Sequence, residues 1–304
     1  MKRVAVLYGG TSSERAVSLV SGKAVLKSLQ ESGYDAYGIE LSGDVRALLA
    51  ALDPRPDVVF NALHGRYGED GCVQGVLELL AIPYTHSGVL ASSLAMNKPF
   101  TKRIAATVGV RSPEGRVISR AALADGHPLP LPYVIKPVGE GSTVGVRVVR
   151  VGENRPPVID DWAFGEDMLV EEYIPGHELT VGIMGDRALD VTEIRFSGQM
   201  FDYTQKYTPG HAQHVIPAQV PAAIRDEAMR LALLVHQTLG CAGISRSDFR
   251  YDDRKPGTSG LYFLEINTQP GFTPISLVPE QAQRHGVSFA ALCGWLVEQA
   301  RCHG

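Results

Sequence analysis

Ile244-Ser245-Arg246-Ser247-Asp248-Phe249-Arg250-Tyr251 and Leu261-Tyr262-Phe263-Leu264-Glu265-Ile266-Asn267 are two β-type runs joined by Asp252–Gly260. The Lys255-Pro256-Gly257 content predicts a hairpin whose turn centres between Pro256 and Gly257. Antiparallel pairing then sets Asp248 opposite Glu265 and Arg246 opposite Asn267. Period-2 alternation puts all four on one face, with Phe249–Leu264 and Ser247–Ile266 on a mostly apolar other face. Two carboxylates directly opposite each other repel. A divalent cation between them removes the conflict, and two carboxylates plus an amide oxygen, without His or Cys, are hard ligands of the Mg²⁺ type. So sparse a set borrows further oxygens, typically from a nucleotide phosphate. The alternative is a solvated face on which Arg246 neutralises one acid. The loop that follows, Thr268–Leu277, holds Gly271 and two prolines, so it either aims N–H groups at a reacting carbonyl or is an ordinary turn.

Outward from the hairpin, the chain opens as strand, glycine turn and helix. Arg3–Tyr8 reads as a strand buried on both faces in a parallel sheet, Gly9-Gly10 turns the chain, and Thr11–Gln30 has helical apolar spacing that stops at Gly33. An apolar run at 57–61 leads into the polar loop Leu63–Gly71, with a short helix near 73–80 and a strand at 82–85. These form a small α/β unit ending near residue 87. Residues 88–108 read as helix broken at Lys98-Pro99. Strands are expected at 133–136, 146–151, 168–173 and 178–184, a helix at 221–239 and helical pattern at 279–301.

The loop Gly139–Gly145 offers backbone N–H groups to an anion, but no Gly-Lys-Ser/Thr follows, so it is not a Walker loop. Lys98 and Lys136 supply point charges for a phosphate chain. Thr11-x-x-Glu14 reads as a capping box, while a helix start can also receive a substrate carboxylate, or its ammonium if Glu14 faces outward. His211-x-x-His214 stands beside Pro209-Gly210 in a loop, which argues against zinc. His64 lies in a loop of the kind that lines substrate sites.

The chain has 304 residues, 44% hydrophobic and 20% charged, enough for a sizeable core in two or three sub-domains. Its 29 basic and 33 acidic side chains give a net charge of −4, which argues against a nucleic-acid-coating surface. No apolar run approaches a membrane span, the N-terminus lacks signal-peptide character, and the four cysteines show no CxxC spacing. A cytoplasmic protein is expected.

Taken together, the motifs resemble the D-alanine–D-alanine ligase family of the ATP-grasp superfamily. They are Leu7–Arg15, Ala62–Gly71, Pro83–Gly88, Met96–Lys98, Ile135–Pro137 with Glu140–Gly145, Gln205–Tyr207, Arg246–Asp248 and Glu265–Gly271, in the family's order and nearly end to end. The resemblance implies a mixed α/β and α+β ATP-grasp fold. It has three sub-domains, 1–87, 88–179 and 180–304, with the nucleotide between the last two. It implies that Asp248, Glu265 and Asn267 hold two Mg²⁺ ions (Mn²⁺ as a substitute) on ATP. Lys98 and Lys136 would bind phosphates, Glu171 with neighbouring Glu172 and Ile174 would read adenine, and Glu178 would bind ribose. Glu14 would receive the first D-alanine's ammonium, linked through Ser142 to Tyr207 on the loop 201–210, a role that supersedes or coexists with the cap. His64 would line the substrate site and Lys206 would meet the transferred phosphate. Arg246 and the Gly271 N–H would stabilise the oxyanion, and Ser276 with the Leu277 N–H would anchor the second carboxylate. The product implied is D-alanyl-D-alanine for peptidoglycan, made through a D-alanyl phosphate by a cytoplasmic homodimer with no nucleic-acid or membrane partner. Tyr207 resembles the amide-forming members rather than those that make the D-lactate ester. The departures are Thr143, where Ser is common, and a short, Pro-rich 150–167 stretch. Another acceptor, or nucleotide binding without turnover, are the alternatives.

Overall fold

The computed structural model describes residues 1–141, 144–157, 159, 162–196 and 212–304. The N-terminal part is built on a parallel sheet of order β2-β1-β3, formed by β1 (Arg3–Gly9), β2 (Asp35–Leu41) and β3 (Val58–Asn61). Val4–Leu7 are wholly buried because helices cover both faces. On one side α1 (Arg15–Glu31) packs Val25 and Leu29 onto the sheet, and on the other lie α2 (Val45–Ala51) and α3 (Cys72–Leu79). The strand expected at 82–85 does not form. Tyr84 alone bridges Val59 and Arg301, so this segment is a covering strap rather than a fourth strand.

Two helices, α4 (Val89–Met96) and α5 (Lys98–Thr107), follow. The expected break falls at Asn97, whose side chain accepts from the Phe100 N–H and caps α5, with Pro99 in its first turn where no N–H is missed. A four-stranded antiparallel sheet of order β4-β7-β5-β6 comes next: β4 (Gly115–Ser119), β5 (Tyr133–Pro137), β6 (Arg147–Val149) and β7 (Asp167–Glu172). The strand expected at 146–151 is thus only three residues long.

The third sheet, of order β10-β9-β8-β11-β12, is antiparallel: β8 (His177–Met184), β9 (Arg187–Phe196), β10 (Ala212–Val215), β11 (Ile244–Tyr251) and β12 (Leu261–Asn267). The amphipathic α6 (Ala222–Thr238) covers one face with Ile224, Ala228, Leu231 and Val235. The helical pattern at 279–301 resolves into α7 (Leu277–Arg284) and α8 (Phe289–Gln299), separated at Gly286 and capped again by Ser288. Both pack with Phe272 against α1 and the N-terminal sheet, so the last helices tie the first sheet to the third. Among the described residues no helix is long and apolar enough to cross a membrane.

Candidate functional site

The hairpin pairs as its sequence predicts at the functional end. Arg246 faces Asn267, Ser247 faces Ile266 and Asp248 faces Glu265. The register then shifts: Phe249 pairs with Phe263, not Leu264, across a β-bulge. The correction has a physical reason. Phe249 and Phe263 are both fully buried and meet edge to face at 5.7 Å between ring centres, so aromatic packing takes the register forward by one and leaves Leu264 as the extra residue.

Asp248 and Glu265 do not stand as bare opposed charges. Arg246 grips Asp248 through two hydrogen bonds of 2.9 and 2.8 Å, Thr180 Oγ1 donates to it at 2.6 Å, and Lys98 Nζ lies 3.1 Å from Glu265. The repulsion between the two acids is thus already offset by cationic side chains, Arg246 as the sequence allowed and Lys98 in addition. The face is nonetheless no solvated surface, because Asp248 is buried and forms part of a wall between two cavities.

The first cavity, about 850 Å³ with its open mouth, lies between the four- and five-stranded sheets. Val134, Val146, Val148, Ile174 and Leu264 make an apolar slot, and Lys98, Lys136, Glu171, Glu178, Asp248 and Glu265 supply its polar groups. An apolar slot bordered by two lysines and these four acids is suited to a planar base at one end and a phosphate chain at the other. The second, about 930 Å³, is lined by Glu14, His64, Arg246, Asn267, Gly271, Ser276 and Leu277 among others. Asp248 lines both. Glu265 and Asn267 also line a narrow gap with Lys98 and Gly141.

In the second cavity, Glu14 opens α1 but its side chain makes no capping bond, so the expected box is not formed. The carboxylate turns instead toward the glycine loop, where a Cβ built at Gly141 would stand 2.6 Å from Glu14 Oε2. Burial, then repulsion from Glu69, pushes its pKa up to about 7 against the pull of His64 and Arg246. His64 is wholly enclosed: Nδ1 lies 3.1 Å from Glu69 Oε1 and 3.2 Å from the Gln269 carbonyl, and Nε2 lies 3.1 Å from Ser21 Oγ. Burial alone would lower its pKa, but the Glu69 and Glu14 carboxylates outweigh it and hold the imidazole above its ordinary value. Ser276 begins α7, and its Oγ accepts from the Thr273 N–H at 2.9 Å. Gly271 is beside it, with room for a Cβ at 3.7 Å from that oxygen. The free N–H groups of the first α7 turn, including that of Leu277, form a natural carboxylate seat.

In the first cavity, Glu171 is almost wholly buried and bonds Lys136 Nζ at 2.9 Å and Lys102 Nζ. Desolvation would raise its pKa, but the two lysines outweigh it and hold it down at about 2. Glu172 receives the Glu114 N–H, and buried Glu178 lies 3.8 Å from Arg250. Lys98 Nζ also donates to the Glu140 carbonyl, which ties α5 to the glycine loop.

Three residues escaped the sequence reading. Lys102 stands four residues after Lys98, one turn along the same helix face, which was a usable signal. Glu69 was within reach of His64 in the same loop. Arg250 shares the parity of Arg246 and Asp248 on β11, and holds the loop before β8 through the Ile174 and Gly176 carbonyls at 3.0 Å each. Ser142, Lys206 and Tyr207, with His211 and the loop 201–210, lie outside the described residues.

Two antiparallel sheets clasping a phosphate-suited cleft, beside an N-terminal α/β unit, define an ATP-grasp fold. Models of the D-ala D-ala ligase N-terminus match residues 3–53 and 42–87, and that of the D-ala D-ala ligase C-terminus matches 118–298. D-alanine–D-alanine ligases of Granulibacter bethesdensis and Acidiphilium cryptum are 53% and 54% identical to this chain, each alignment covering 99% of both proteins. A crystal structure of D-alanine–D-alanine ligase from Bacillus anthracis complexed with ATP superposes with a TM-score of 0.79 at 27% identity, covering 98% of this chain and 97% of that one. A second structure of the Bacillus anthracis ligase gives 0.82 at 29% identity with the same coverage. The chain belongs to the D-alanine–D-alanine ligase family.

Proposed function

We propose that this chain joins two D-alanine molecules into D-alanyl-D-alanine, with ATP converted to ADP and phosphate through a D-alanyl phosphate, as a supplier of peptidoglycan synthesis. The observation that carries this reading is the wall shared by the two cavities. Asp248 and its neighbours on one hairpin face border a slot suited to a nucleotide and a polar chamber suited to amino acids. A phosphoryl group made available on one side is within reach of a carboxylate on the other, and positioning of this kind supplies much of the rate.

In this reading the first D-alanine places its ammonium on Glu14, which burial keeps near neutrality until a cation arrives. Its carboxylate attacks the γ-phosphorus. The amine of the second D-alanine then attacks the acyl phosphate carbonyl, and phosphate leaves. Arg246 and the Gly271 N–H face the developing oxyanion, and Ser276 with the Leu277 N–H hold the second carboxylate. Lys98 and Lys136 bind phosphates, with Lys206 meeting the transferred group. Glu171, flanked by Glu172 and Ile174, reads adenine and Glu178 the ribose. Ser142 and Tyr207 are the residues to which the family resemblance gives the link between Glu14 and the loop 201–210.

Among the described residues no three His, Cys, Asp or Glu side chains gather into a metal cage. The two carboxylates and the amide of Asp248, Glu265 and Asn267 suit a hard ion that completes its shell on phosphate oxygens. Two Mg²⁺ ions, replaceable by Mn²⁺, would there neutralise the phosphate charge. We read the chain as three working units, 1–87, 88–179 and 180–304. Each carries one sheet, β8 straddling the second limit. We take it to work in the cytoplasm as a homodimer.

The test mixes protein, Mg²⁺, ATP and D-alanine and measures phosphate and dipeptide, with D-lactate and other D-amino acids as acceptors in parallel. Absence of D-alanine-dependent phosphate release rejects the assignment. A better product yield with another acceptor moves it to a different ligase.

A further inference from the structure

Glu171 is a buried carboxylate with two lysines. Lys136 reaches it from β5 at 2.9 Å and Lys102 reaches it from α5, so one acid is shared by two cations. The side chains are 10% exposed for Lys102, 12% for Lys136 and 2% for Glu171, which makes the cluster part of the interior. Gly115 on β4 permits the arrangement, since a Cβ there would stand 2.8 Å from Glu171 Cγ. In a net-acidic chain, two cations spent on one buried carboxylate need a reason, because a single lysine neutralises it.

The proposed function gives the two lysines different futures. Lys136 lines the cleft and is drawn to the phosphate chain when nucleotide enters. Were it the only counter-ion, its departure would leave Glu171 ionised and unpaired in the interior, an expensive state that such a group escapes by taking a proton. Lys102 is held in place by α5 and has no such second duty. We propose that Lys102 is the resident counter-ion of Glu171 in the nucleotide-bound protein, a positioning residue that keeps this carboxylate a pure hydrogen-bond acceptor and thereby sets the preference for a 6-amino purine over a 6-oxo purine. A carboxylate has four lone-pair sites, so Glu171 can hold Lys102 and still accept from an exocyclic amino group. A protonated Glu171 would instead offer a donor, which suits a 6-oxo base.

The surrounding charges agree. Burial and the neighbouring Lys136 lower the pKa of Lys102 to about 8, against the attraction of Glu171 and Glu265. Removing Lys136 from the cluster therefore strengthens the Lys102 charge just when Glu171 depends on it.

The inference rests on Glu171 reading the base, so the experiment separates the two. KM values for ATP and ITP, KM for D-alanine, and melting temperature with and without ATP are measured for the wild type, Lys102→Met, Lys102→Arg and Glu171→Gln. With Lys102→Met we expect a melting temperature close to wild type without nucleotide, because Lys136 still pairs with Glu171. We also expect a KM for ATP raised about tenfold or more, a smaller stabilisation by ATP, an ATP-over-ITP preference reduced by at least several fold, and little change in KM for D-alanine. Lys102→Arg restores part of the ATP affinity. If Lys102→Met leaves the ATP and ITP constants in their wild-type ratio while Glu171→Gln alters that ratio, Glu171 reads the base and the role given to Lys102 is wrong. If Glu171→Gln also leaves the ratio unchanged, the base-reading premise falls and this inference with it. Equal loss of stability with and without ATP in Lys102→Met overturns the inference in favour of a purely structural lysine.

Discussion

Replacing Glu14 with Gln tests whether the amino-acid chamber holds a carboxyl that is reluctant to ionise. Glu14 is 7% exposed, and burial with repulsion from Glu69 moves its pKa from 4.5 to about 7. Keeping it charged in the empty chamber therefore costs about 3 kcal/mol. The sign follows from linkage. An acid whose pKa is raised on folding favours the folded state fully below the unfolded pKa, near 4.5, and that contribution is lost as pH rises through about 7. Urea unfolding of the wild type and Glu14→Gln at pH 5 and pH 8, without ligand, reads Glu14 together with the share of the His64 shift that its charge causes, while titrations elsewhere in the protein cancel between them. The wild type should lose about 2–3 kcal/mol relative to the variant between those pH values. At pH 8 the variant should equal or exceed the wild type in stability while its KM for D-alanine rises at least tenfold, since no carboxylate remains for the ammonium. A stability difference between the two proteins that is the same at both pH values would refute the strained carboxyl, whatever the activity does.

Glu265→Gln should cut turnover about a thousandfold with the fold intact, because it would remove the charged ligand proposed for a cation on the phosphates and the partner 3.1 Å from Lys98; near-normal phosphate release excludes that role. Gly115→Ala brings a Cβ within 2.5 Å of the Val170 carbonyl and 2.8 Å of Glu171 Cγ, so it should cost about 1–3 kcal/mol and raise KM for ATP more than KM for D-alanine, as steady-state kinetics and thermal melts can decide. Gln281→Leu deletes the fully buried amide that receives the Gly182 N–H at 2.7 Å and reaches Thr192 Oγ1 at 2.9 Å. Leaving those groups unpaired beneath α7 should cost about 2–3 kcal/mol and weaken the second D-alanine more than the first, measured by denaturation and by initial rates over a wide D-alanine range.

Local pattern carried the site well. Parity along β11 and β12 places Arg246, Asp248, Glu265 and Asn267 together, because strand geometry allows nothing else. It could not see Lys98 arriving from α5 as the counter-charge of Glu265, nor the aromatic contact that shifts the register beyond Asp248. Strands β2 and β9 were missed for local reasons. Asp35–Leu41 carries a glycine in mid-strand, where Gly38 makes room for the Tyr8 hydroxyl, and β9 buries Thr192 and Glu193, so neither shows a run of apolar residues. The capping box failed because a tertiary demand, the chamber beside Gly141, outbid a local one. Glu171 was assigned by resemblance alone, since nothing in Met168–Tyr173 announces that two lysines from other elements converge on it.

The β-bulge on β12 has a consequence for how the two chemistries of the cleft are spaced. In a regular strand, neighbours point to opposite sides, so an oily floor and an acid could not be adjacent in the chain and face the same ligand. Here Leu264 and Glu265 both line the nucleotide slot. One supernumerary residue thus lets an apolar floor and a carboxylate sit one peptide apart on the same side. Deleting position 264 would return the ribbon to strict alternation without removing a single charged group, yet it would part the greasy half of the slot from its acidic half.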